Sequence, residues 1–68
     1  MSDVYKSIDL VGTSPDSFDD AVRRAVRRAS ETVRNVQWFE VVENRGYVQG
    51  ADVKEFQVKL KVWFGLED

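Results

Sequence analysis

The stretch Val53-Lys54-Glu55-Phe56-Gln57-Val58-Lys59-Leu60-Lys61-Val62-Trp63-Phe64-Gly65-Leu66 alternates apolar and polar side chains along most of its length. Successive side chains of a β-strand point to opposite faces. Phe56, Val58, Leu60, Val62, Phe64 and Leu66 therefore share one face without interruption. Glu55, Gln57, Lys59, Lys61 and Trp63 share the other. A strand that is apolar on one side and polar on the other belongs to an antiparallel sheet covered on one face. So regular a pattern specifies register strongly and suits the centre of the sheet.

The rest of the chain supplies the neighbours and the cover. Val4 to Val11 reads as a first strand, with Val4, Ile8 and Leu10 on one face, interrupted by Lys6, and Tyr5, Ser7 and Asp9 on the other. Gly12-Thr13 breaks that pattern. Ser14-Pro15-Asp16 then reads as a helix start, with Ser14 as N-cap and Pro15 at the first helical position. Asp16, Asp19 and Asp20 place negative charge at the positive end of the helix dipole. Phe18, Ala21, Val22, Ala25, Val26, Ala29 and Val33 recur at spacings of three and four, one helical stripe. The spacing predicts a helix from about Pro15 to about Arg34, with Asn35 near its end. A second strand starts near Val36 and continues through Arg45 or beyond, with Gly46 marking a bulge or bend. Gln49-Gly50-Ala51-Asp52 is the predicted turn into the third strand.

The order is β-α-β-β. A hairpin makes the third strand antiparallel to the second, and placing it in the middle gives an α+β fold. Its three-stranded antiparallel sheet has the order 1-3-2 and curls around one helix. About twenty helical residues span ~30 Å, whereas the third strand approaches ~45 Å. The strand outruns the helix, and the apolar end at Val62, Phe64 and Leu66 is expected to lack cover within one chain. Exposed apolar surface of this kind marks an association site.

The chain has 68 residues, the size of one small domain spanning 1–68. So small a core is marginal and calls for a staple. The composition contains no Cys and no His, so disulfides, thiolate metal sites and the commonest general base are excluded. Association is the remaining staple. The formal net charge of -2 gives no global attraction to nucleic acid. Arg23, Arg24, Arg27 and Arg28 read as a solvated helix face balanced by Asp19, Asp20 and Glu31. No apolar run approaches the ~20 residues that span a bilayer, and the segment from Met1 to Lys6 lacks a signal-peptide shape. A cytoplasmic location is expected, with neither nucleic acid nor membrane as partner. No nucleophile–base pair, carboxylate in an apolar setting or glycine-rich phosphate loop is present, so no enzyme activity is expected.

Within Gln37–Glu43, alternation puts Phe39 and Val41 on one face and Trp38 with Glu40 on the other. The largest apolar side chain of the segment thus lies on its polar side. One reading is an indole filling a subunit contact, and the same reading applies to Trp63. The other is a stacking platform for a flat, electron-poor heterocycle. Gln57, on the same face of the neighbouring strand, offers a carboxamide that matches the donor–acceptor edge of a uracil-like or flavin-like ring. Arg45 is a candidate partner for an anion such as a phosphate.

Taken together, Val11-Gly12-Thr13-Ser14, the helix, Trp38-Phe39-Glu40-Val41, Arg45-Gly46, Phe56-Gln57-Val58 and Phe64-Gly65-Leu66-Glu67 resemble the dodecins over nearly the whole chain. The resemblance implies a hollow homododecamer that binds flavins as stacked pairs between protomers, for storage, buffering and photoprotection. It implies cofactor-binding roles for Trp38, which stacks on the flavin, and Gln57, which bonds the polar edge of the isoalloxazine. It places Arg45 near the ligand or a subunit contact. Trp63 stands where the family commonly has glycine, and Gly65 where it commonly has arginine. Loss of that positive charge leaves riboflavin, FMN and lumichrome as alternative flavins and puts coenzyme A binding in doubt. The competing function is a structural or interaction oligomer without ligand, with Trp38 and Trp63 as its subunit anchors.

Overall fold

A computed structural model describes residues 3–67. Met1, Ser2 and Asp68, which the single-domain reading of 1–68 includes, lie outside the described residues. The elements are β1 (Tyr5–Ser14), α1 (Phe18–Thr32), β2 (Val36–Gln49) and β3 (Asp52–Gly65). They form an antiparallel sheet in the order β1-β3-β2, and β3 pairs with both neighbours over most of its length.

The apolar alternation of β3 becomes the core. Val58, Leu60 and Val62 are fully buried against Ala21, Ala25 and Ala29 of α1. Ile8, Leu10, Val22, Val26 and Val36 pack around them. Alanines on the helix stripe allow a close approach to the sheet, and Gly12 in β1 completes it. A Cβ at Gly12 would stand 2.3 Å from the Ala21 carbonyl oxygen and 2.9 Å from the Ala25 Cβ. Gly12 is therefore part of the helix–sheet contact and does not end the strand, which runs on to Ser14 opposite Phe56.

The helix starts later than the sequence suggests. Ser17, not Ser14, is the N-cap, accepting from the Asp20 N–H at 3.0 Å. The Ser14 hydroxyl is already engaged. It accepts from the N–H groups of Asp16 and Ser17 at 2.9 and 3.3 Å and donates to the Asp20 carboxylate at 2.7 Å. Ser14 is buried at the end of β1 and organises the turn that contains Pro15. At the other end the helix stops at Thr32 with Val33 as C-cap. Asn35 takes a left-handed φ of 61° on the way into β2, a conformation that asparagine tolerates. The β2–β3 hairpin closes through Gly50-Ala51, and Gly50 has a φ of 65°. A two-residue hairpin loop with a left-handed first position favours glycine there.

The helix is 15 residues, about 22 Å, and lies chiefly over β1 and β3 with little contact to β2. It reaches from Phe56, whose ring meets Phe18 edge-on at 5.0 Å, towards the other end of β3. Val62 is thus covered within the chain, contrary to the expectation that the Val62–Leu66 end lies bare, although Leu66 is exposed. The overhang is at the hairpin tip instead. Val48 and Val53 are cross-strand partners beyond the helix start and remain exposed. The reason is that the helix packs from Ser17 onward, alongside the half of β3 that lies beyond Phe56.

Candidate functional site

The outer face of the sheet, opposite the helix, carries the candidate residues, and irregularities in β2 put them there. Val36 pairs with Phe64 and Trp38 with Trp63, so Gln37 is an extra residue. A second shift makes Val42 extra, because Val41 pairs with Leu60 and Glu43 with Lys59. Each bulge exchanges the faces of the residues after it. The first lets Val36 enter the core while Trp38 faces outward. The second brings Glu43, Arg45 and Tyr47 onto the face of Trp38 and Glu40. Uninterrupted alternation from Trp38 would have placed Arg45 on the opposite face. Gly46, expected to mark the irregularity, is in regular register with Phe56, and the next shift lies between Tyr47 and Val48.

Two groups of side chains result. The first is aromatic. The Trp38 and Trp63 rings are 6.1 Å apart at 23°, stacked, and Tyr5 meets Trp38 at 4.7 Å and 54°. Tyr5 pairs with Gly65, so no side chain of β3 at that level stands between it and Trp38. Trp63 Nε1–H donates to Glu40 Oε1 at 2.7 Å. Trp38 is 45% exposed. It belongs to an edge strand, so both rings reach it from the interior of the sheet and its edgeward side meets no further strand of its own chain.

The second group is polar. Arg45 Nε–H donates to Gln57 Oε1 at 2.7 Å, and Gln57 Nε2–H donates to Glu55 Oε1 at 2.8 Å. Arg45 also lies 3.4 Å from the Glu43 carboxylate. A carboxamide carries two N–H donors and two acceptor lone pairs. These bonds use one of each and leave one of each for a ligand edge. The structure therefore brings Arg45 to Gln57, as the sequence did not foresee. It does not bring Trp38 to Gln57. Trp38 is level with Trp63, six residues along β3 from Gln57, which is about 20 Å. No single planar tricycle spans that distance within one chain.

The other face of β2 is open. Every residue of β2 after Val36 is exposed. Phe39, with Val22 and Val26 of α1, lines a cavity of about 430 Å³ rimmed by Asp19, Arg23 and Arg27. The helix arginines pair largely as their spacing implies: Arg23–Asp19 at 2.9 Å, Arg24–Asp20 at 2.7 Å and Arg28–Glu31 at 3.4 Å. The Asp19 carboxylate holds the Arg23 guanidinium above its ordinary pKa. Among the described residues, no group of three or more Asp and Glu is placed to hold a metal ion, and no helix is long and apolar enough to cross a membrane.

The dodecin family model matches residues 4–67. The chain belongs to the dodecin family. It is 48% identical to a dodecin from Thermus thermophilus, over all of this chain and 99% of that one. Among solved structures, the dodecin from Streptomyces coelicolor superposes with a TM-score of 0.92 at 49% identity, covering 100% of this chain and 99% of that one. A relative from Mycobacterium tuberculosis, named calcium dodecin, is 39% identical over 90% of this chain and 86% of its own length. Its crystal structure superposes with a TM-score of 0.82. The β-α-β-β order with an antiparallel 1-3-2 sheet, read from the patterns along the chain, is thus the observed one and matches the dodecin structures.

Proposed function

We propose that this dodecin binds flavins (riboflavin, FMN or lumichrome) as stacked pairs at contacts between protomers of a homododecamer, and that it stores, buffers and photoprotects them without acting as an enzyme. The observation that carries this reading is Trp38: an exposed indole on the sheet face away from the helix, held between neighbouring rings on one side and open on the other. An edge of β2 that is exposed on both faces supports association. The separation of Trp38 from Gln57 supports a composite site, in which an indole from one chain and a carboxamide from another meet the same ligand. Arg45 then serves the ligand indirectly by fixing the Gln57 amide.

Stacking a flat ring on Trp38 removes apolar area from water, at roughly 25 cal/mol per Å². The aromatic contact adds about 0.5–1.5 kcal/mol per pair. Gln57 selects rings with a matching polar edge. An indole in contact with an excited flavin donates an electron readily, so emission is quenched and photochemistry curtailed. The test is a titration of riboflavin with the full-length protein. The expected result is loss of most of the emission, with Trp38→Ala weakening binding sharply while size-exclusion shows the assembly intact. Persistent emission at saturating protein rules the reading out.

The alternative is a structural oligomer with Trp38 and Trp63 as subunit anchors, favoured by their mutual stacking at 6.1 Å. It predicts disassembly of Trp38→Ala and no colour after soaking in riboflavin.

A further inference from the structure

Trp63 is the cross-strand partner of Trp38, and the two rings are stacked. An indole has one polar atom, a donor. That of Trp63 is bonded to Glu40 at 2.7 Å, which fixes the rotation of the ring. Glu40 lies on the same face of β2 as Trp38 and pairs with Lys61. Tyr5 closes the remaining interior approach to Trp38 at 4.7 Å. The half-exposed Trp38 is therefore braced by rings from both other strands, and Trp63 is itself anchored by the hydrogen bond it donates to Glu40 on the Trp38 strand.

We propose that Trp63, seated by Glu40, is a positioning residue that holds the Trp38 indole in one rotamer with its edgeward side presented to a planar ring. The assignment rests on Trp38 being the stacking platform. A large side chain on an exposed edge strand otherwise samples several rotamers, and a ligand that stacks on it must freeze them. Bracing removes that cost before binding, which is the general benefit of preorganisation.

The test uses the full-length chain and riboflavin. The sequence has two tryptophans, so in Trp63→Ala and Trp63→Phe all indole emission comes from Trp38, and its anisotropy without riboflavin reports how firmly the ring is held. Trp63→Ala is expected to lower riboflavin affinity about three- to tenfold and to lower Trp38 anisotropy. Trp63→Phe, which keeps a ring against Trp38, should restore both. Glu40→Ala retains both indoles and should weaken binding in the same direction, which decides the matter if Trp63→Ala does not assemble. Riboflavin bound by Trp63→Ala and Glu40→Ala as tightly as by the parent protein, with Trp38 as immobile in Trp63→Ala as in Trp63→Phe, would overturn the proposal. Failure of the parent protein to bind riboflavin would instead sink the flavin reading, and the anisotropy comparison would still decide whether Trp63 holds Trp38.

Discussion

Asp20 joins two parts of the chain at a single carboxylate. It accepts from the buried Ser14 hydroxyl at 2.7 Å and pairs with Arg24 at 2.7 Å. The Ser14 bond, with the charges of Arg24 and Arg27, outweighs burial and holds the Asp20 carboxyl below the ordinary aspartate value of 3.8. The folded chain thus binds this proton less readily than the unfolded chain. The resulting stability is complete above the ordinary value and is lost as pH falls through the lower folded one. Asp20→Asn is expected to be less stable than the parent in urea unfolding near neutral pH, with the difference shrinking in acid as pH falls below the ordinary aspartate value of 3.8. A difference independent of pH would show that shape, not charge, matters at this position. Ser14 also shows where residue-level reading misleads. Two serines three apart both suit a helix cap, and nothing local says that the first is consumed by the turn.

At the scale of elements, the close contact between α1 and β1 is written in small residues. Ala21, Ala25 and Ala29 form the buried helix stripe, and Gly12 is the matching gap. Gly12→Ala would drive its methyl group into the Ala21 carbonyl and the Ala25 side chain. Overpacking of this kind costs about 1–3 kcal/mol, and here the obstruction includes backbone. The variant should show a lower urea midpoint with an unchanged denaturant slope. An unaltered midpoint would mean that the helix shifts freely away from β1. The bulges of β2 operate at the same scale. They decide which side chains share a face, and so they join Arg45 to Gln57 and send Val36 and Trp38 to opposite sides.

For the whole molecule, the decisive fact is incomplete cover. The dimensions are 51 × 19 × 14 Å, so the sheet is long and the single helix shields only part of it. Phe39 is 46% exposed on the helix side of β2, and Val41 is similarly exposed. Phe39→Asp adds a charge where the single chain leaves room for it, so its cost falls on association. Sedimentation velocity is expected to show the parent as an assembly and the variant shifted to smaller species. The thermal midpoint of the parent should rise with protein concentration, and that of the variant less so. A parent protein that sediments as a monomer at micromolar concentration would show that this face is not a subunit contact.

Local periodicity was enough for the element order, the central place of β3, the helix stripe and the aromatic and carboxamide candidates at Trp38 and Gln57. Those features depend on side chains a few residues apart, and alternation and helical spacing record them directly. The bulges at Gln37 and Val42 were not legible, because a bulge is set by which residues of β2 and β3 share hydrogen bonds across the hairpin, not by the pattern within either strand. The covered end of β3, the Arg45–Gln57 bond and the Tyr5–Trp38–Trp63 cluster were hidden for the same reason. Each joins residues that meet only once the three strands have paired and the helix has docked on one face.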